Sequence, residues 1–185
     1  MPAVFAIAVA ALLMLSDIGA AADPVRSGLQ PGEHVTTVFE PVNLNGPNAE
    51  EPHCLVCENG LNPVAMVVAR DWSAPLGKLV TKLDAACMKH EKQELGSFVV
   101  FLDASDSLQA TLRKVAAGDA FKKLVLALES ESAIPEYKAS VDAEVTVMLY
   151  VRHDVKANFA FRKGELDDAA IERVIAALPK ILGEK

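Results

Sequence analysis

Two of the three cysteines in the chain stand together in the run His53-Cys54-Leu55-Val56-Cys57-Glu58-Asn59-Gly60. A Cys-x-x-Cys pair can close a small disulfide, exchange electrons with other thiols, or supply half the ligands of a tetrahedral metal site. No second Cys-x-x-Cys completes such a metal site, but His53 is adjacent, and His34, His90 and His153 are the other histidines a fold could bring close. A copper- or zinc-handling protein built on Cys54, Cys57 and a histidine therefore stays open beside the redox and structural readings. Stapling alone is a weak reason for the pair, because so short a loop restricts the unfolded chain little. Glu50, Glu51 and Glu58 oppose ionisation of a thiol in this stretch, and His53 favours it. For exchange chemistry, Cys54 beside His53 is expected to be the attacking thiolate and Cys57 to resolve the mixed disulfide. Cys87 recurs at helical spacing with Leu76, Leu79, Val80 and Leu83, so it reads as a buried free thiol rather than a third redox partner.

Other residues offer less chemistry. Ser73 is placed to cap a helix beginning at Ala74-Pro75, and no His/Asp pair is spaced to make it a nucleophile. Glu129, Glu131 and Glu136 form a solvated loop without the spacing of a metal loop, and His153 reads as an exposed turn residue between Arg152 and Asp154. No glycine-rich phosphate loop is present, and no cofactor is expected.

The elements that must carry these residues follow from periodicity. Val64 to Ala69, Phe98 to Leu102, Leu124 to Leu128 and Val145 to Val151 are apolar runs of the kind found in strands covered on both faces. Helical periodicity predicts a helix from Ala74 to His90, a second from Ser105 or Asp106 to Gly118, and a last one opening at Gly164-Glu165-Leu166-Asp167 and ended or bent by Pro179. Val155 to Phe161 alternates as the partner of Val145 to Val151 in a hairpin. Val35 to Leu44, interrupted by Pro41, suits an edge strand or hairpin. The alternation gives an α/β class with a central mixed sheet of about four to five strands flanked by helices.

Composition sets the outer limits. A chain of 185 residues, 51% hydrophobic, is one domain with a core large enough to need no staples. A net charge of -7 with no extended Lys/Arg cluster argues against a grip on nucleic acid or anionic lipid. Met1 to Leu15 carries no charged side chain, and Ala20-Ala21-Ala22 offers a small-residue cleavage site, so residues 1–22 are expected to be a signal peptide and residues 23–185 the mature domain. The apolar stretch is shorter than the ~20 residues a spanning helix needs. The mature protein is therefore expected to be exported, secreted or periplasmic, free of the membrane after cleavage, where paired cysteines tend to be oxidised.

From Leu29 onward the chain resembles the thioredoxin-like fold, and within it the redoxin branch. Leu29-Gln30-Pro31-Gly32-Glu33 followed by Thr36-Thr37-Val38-Phe39 looks like the segment leading into a redoxin sheet. Val145 to Leu182, with its hairpin and Gly-Glu-Leu-Asp helix start, looks like the redoxin C-terminal half. The resemblance implies thiol-disulfide exchange with protein thiols or disulfides as partners. In that family the reactive Cys-x-x-Cys follows the first central strand and faces a cis-proline. The matching positions here, Asp71-Trp72-Ser73-Ala74-Pro75-Leu76 and Glu144-Val145-Thr146, hold no cysteine and no such proline. Cys54 and Cys57 instead precede the strand, which places them at the opposite end of the sheet. A non-catalytic binding module with a structural Cys54-Cys57 disulfide is the alternative the resemblance leaves standing.

Overall fold

The structure, a computed structural model, describes residues 23–117 and 120–183. The expected signal peptide and the expected helix end at Gly118 lie outside the described residues. Six strands make one mixed sheet: β1 (Val42–Asn43), β2 (Val64–Ala69), β3 (Gly96–Leu102), β4 (Val125–Glu129), β5 (Val145–Val151) and β6 (Asp154–Phe161), in spatial order β1-β4-β3-β2-β5-β6. β2, β3 and β4 run parallel, joined by crossovers through α2 (Ala74–Lys89) and α3 (Asp106–Ala116). β5 lies antiparallel to β2 and forms a hairpin with β6. The fold class expected from sequence holds, with one strand more than its upper count.

That extra strand is β1. Of the stretch Val35 to Leu44, only Val42–Asn43 joins the sheet, antiparallel to β4 with Val42 opposite Leu128. Pro41, with no N–H to give, stands immediately before it. Upstream, the lead-in segment runs beside the start of β6 instead. Gly32 N–H donates to Val155 O at 2.9 Å, Val155 N–H to Glu33 O at 3.0 Å, and Val35 N–H to His153 O at 2.8 Å.

β2 is buried along its whole length, as its continuous apolar run requires. Alternation of side chains sends Ala65, Val67 and Ala69 to one face, where α2, α3 and the last helices, α4 (Asp168–Ala177) and α5 (Pro179–Leu182), pack through Leu76, Leu83, Leu112, Val174 and Ile181. Val64, Met66 and Val68 point to the other face. This face is covered by the lead-in residues Leu29, Val35 and Phe39, by Ile134 and Tyr137, and by Leu55 and Val56 of a short helix, α1 (Leu55–Asn59). α1 carries the cysteine pair. Ser73 caps α2, its hydroxyl accepting the Leu76 N–H at 3.3 Å, and Asp167 caps α4 by accepting the Ala170 N–H at 2.7 Å. No described helix is long and apolar enough to cross a membrane.

Candidate functional site

Cys54 and Cys57 are joined as a disulfide. Cys54 is the N-cap of α1, and its Sγ accepts the Cys57 backbone N–H at 3.1 Å. Cys54 O accepts the Glu58 N–H at 3.0 Å, and Gly60, at φ 54°, closes the helix by donating to Val56 O. A single-turn helix has too few internal bonds to persist alone, so its position comes from packing. Leu55 and Val56, 2% and 1% exposed, bury against the sheet, each burial contributing about 1.5–3 kcal/mol. Asn59 adds a lock, its Nδ2 donating to Leu55 O at 2.7 Å while its side chain occupies the space where a Cβ at Gly96 would stand. Five residues are too few to carry an amphipathic period, so the sequence marks this element only by its Asn59-Gly60 stop signal.

The two cysteines differ in exposure. Cys57 is exposed, whereas Cys54 is half-buried and packs against the apolar layer beneath α1. His53 Nε2 lies 2.9 Å from Glu58 Oε2, the ring nitrogen donating, so an imidazole–carboxylate pair joins the residue before Cys54 to the residue after Cys57. His53 N–H also donates to Pro41 O at 3.1 Å, tying the stretch to the segment before β1. The acidic surroundings expected from sequence are reduced. Glu50 pairs with Arg113 of α3, and Glu58 is engaged by His53.

The pair lies at the N-terminal end of β2, as the sequence order implied. Six residues of strand put it about 20 Å from the N-terminus of α2. At that far end, beyond the C-terminal ends of β2 and β3, a cleft of about 500 Å³ is lined by Arg70, Asp71, Trp72, Asp103, Ser105 and Thr111 among others, and contains no cysteine. Arg70 is held there by Glu131 through two bonds of 2.9 and 2.7 Å, a pairing that lowers the Glu131 carboxyl below its ordinary value. Trp72 packs on Phe101 with ring centroids 6.1 Å apart.

Cys87 is a free thiol, 1% exposed, and burial with the nearby Asp84 charge pushes it up to about 12. It belongs to the helix-covered core, whereas Cys54 packs on the other face of the sheet. His34 and His153 do meet, their rings 5.7 Å apart and His34 Nδ1 2.8 Å from Asp154 Oδ1. Among the described residues no group of three His, Cys, Asp or Glu side chains is arranged to hold a metal ion.

No family model and no curated protein matches the sequence. Solved structures do match in fold. The thioredoxin domain of a thiol-disulfide oxidoreductase from Bacteroides vulgatus is 12% identical, with 79% of this chain and 99% of that one covered at a TM-score of 0.53. AhpC of Mycobacterium tuberculosis is 10% identical over 82% and 96% of the two chains, at a TM-score of 0.60. Reduced 2-Cys peroxiredoxin of Plasmodium vivax is 17% identical over 82% of each chain, at a TM-score of 0.57. Likeness at these identities shows a thioredoxin-like fold of the redoxin kind.

Proposed function

We propose that this thioredoxin-like protein exchanges thiols and disulfides through Cys54 and Cys57, acting outside the cytoplasm on protein thiols or disulfides. The observation that carries the reading is a disulfide at the surface of an otherwise well-packed domain, with Cys57 exposed on a short helix that Leu55, Val56 and Asn59 hold in place. Attack on a disulfide needs a nucleophile to reach one of its cysteines, and Cys57 is an exposed residue. The surrounding packing needs no staple: the core beneath α1 includes Phe39, Met66, Phe98 and Tyr150, all buried. Export of the mature domain agrees with keeping the pair oxidised.

A second reading, a binding module whose disulfide is only structural, is favoured by the polar cleft at the other end of the sheet. A redox titration with mass-spectrometric thiol counting, run with and without added copper or zinc, separates the readings. A potential above about -300 mV and ready equilibration with glutathione support exchange, whereas a lower, glutathione-resistant one supports the structural disulfide. Metal that co-purifies and protects both thiols from alkylation refutes both.

A further inference from the structure

We infer that Cys57 is the sulfur an incoming thiolate attacks and that Cys54 is the leaving thiolate, the reverse of the order expected from sequence; this rests on the exchange reading above. Two separate observations agree on the direction. The first is access. Cys57 is exposed on the outer side of α1, while Cys54 is half-buried against the apolar layer that Leu55 and Val56 anchor. A thiolate carried on a peptide segment therefore meets the exposed Cys57 more readily than Cys54, which the apolar layer partly covers.

The second is where the charge goes. Cys54 Sγ already accepts the Cys57 N–H at 3.1 Å. A hydrogen bond to a neutral sulfur is weak, and it strengthens as that sulfur becomes an anion, so this donor favours negative charge at Cys54. A stabilised thiolate is the better leaving group. The same helix turn therefore presents one sulfur for attack and holds the charge on the other.

The step balances without a further reagent. A substrate thiolate donates an electron pair to Cys57 Sγ, the bond to Cys54 Sγ breaks, and that bond's electron pair leaves on Cys54 as thiolate. The product is a mixed disulfide on Cys57. A second substrate thiolate then attacks the substrate sulfur of that mixed disulfide and expels Cys57 as thiolate. The substrate is oxidised to a disulfide, and the pair is reduced to two thiols. In reverse, Cys54 attacks Cys57 in the mixed disulfide and releases the substrate thiol. The substrate class this selects is a cysteine thiol on an exposed protein or peptide segment, since the attacked cysteine lies at the surface.

The test uses the full oxidised protein and reduced glutathione as the probe nucleophile, with acid quench early in the reaction, alkylation of freed thiols and peptide mapping. Sulfite, which leaves a stable S-sulfonate on whichever sulfur it attacks, is the parallel probe where the glutathione adduct turns over too fast to collect. The expected result is adduct on Cys57 with alkyl label on Cys54, in about tenfold excess over the opposite isomer. Predominant adduct on Cys54, or equal amounts of both isomers, overturns the assignment while leaving exchange itself intact. Failure of both probes to open the disulfide in the folded protein overturns the exchange reading, and this inference with it.

Discussion

Removing the Cys54–Cys57 bond tests whether the pair is a staple or a reactive group. The bond spans a sequence separation of three, so it closes a loop of four residues. Chain-entropy reasoning gives about 6 cal/mol/K for so small a loop, or about 2 kcal/mol at 25 °C. By linkage, about 2 kcal/mol on a two-electron couple places the folded pair roughly 40 mV more reducing than the same pair in the unfolded chain. For a domain of this size the loss corresponds to a fall in Tm of roughly 4–8 °C. The double variant Cys54→Ser/Cys57→Ser is the cleanest comparison, because a serine oxygen at position 54 keeps the cap of α1. Urea unfolding of oxidised, reduced and double-variant protein, followed by the fluorescence of the single tryptophan, Trp72, measures the three stabilities. Reduced and double-variant proteins are expected to unfold cooperatively, about 2 kcal/mol or less below the oxidised form. A loss above about 4 kcal/mol, or collapse of the native signal on reduction, would show that the bond holds the fold together and would refute the reasoning.

Further expectations follow from single positions. Asp84, 5% exposed, accepts the backbone N–H groups of Lys122, Lys123 and Leu124 at 3.0, 2.8 and 2.9 Å, so Asp84→Ala strands three donors and should cost about 3 kcal/mol in urea unfolding, with Asp84→Asn intermediate. A Cβ at Gly96 would stand 1.7 Å from Asn59 Oδ1; Gly96→Ala should therefore dislodge Asn59 from Leu55 O and speed thiol attack on the pair, which stopped-flow reduction by dithiothreitol would register. Cys87 should resist iodoacetamide at pH 8 in the native protein and react only at the rate of global opening; rapid native labelling would contradict its burial. The Glu131 carboxyl is lowered chiefly by its hydrogen bonds to Arg70, so the pair's contribution is present above the ordinary carboxyl value and is lost as pH falls through the lowered one. With side chains 24% and 36% exposed, screening holds that contribution to about 1 kcal/mol, and Glu131→Gln should flatten the acid limb of the stability profile by that amount.

The sequence by itself determined the layers. Continuous apolar runs marked β2 and β5 at their observed bounds, and helical periodicity marked α2 and set Cys87 on its inward face, because burial on two faces or on one stripe is written in local spacing. Chain order alone put the cysteine pair ahead of β2, hence at the end of the sheet away from the N-terminus of α2. The edge strand β1 was blurred, since two paired residues leave no pattern in a stretch of ten. The β5–β6 turn was foreseen as a turn, but not that Arg152 and His153 would both take positive φ, at 54° and 66°.

Only the tertiary structure decided how the pair is presented. Four neighbouring residues cannot say which cysteine is exposed; that depends on Leu55 and Val56 joining a buried cluster that includes Phe39, Phe98 and Tyr150, residues scattered along the chain. The same holds for the partners of the charged groups. His34 meets Asp154 across 120 positions and Arg70 meets Glu131 across 61, separations at which no local spacing rule operates. Residue types set the chemistry available to Cys54 and Cys57, and long-range packing set which of the two residues is exposed.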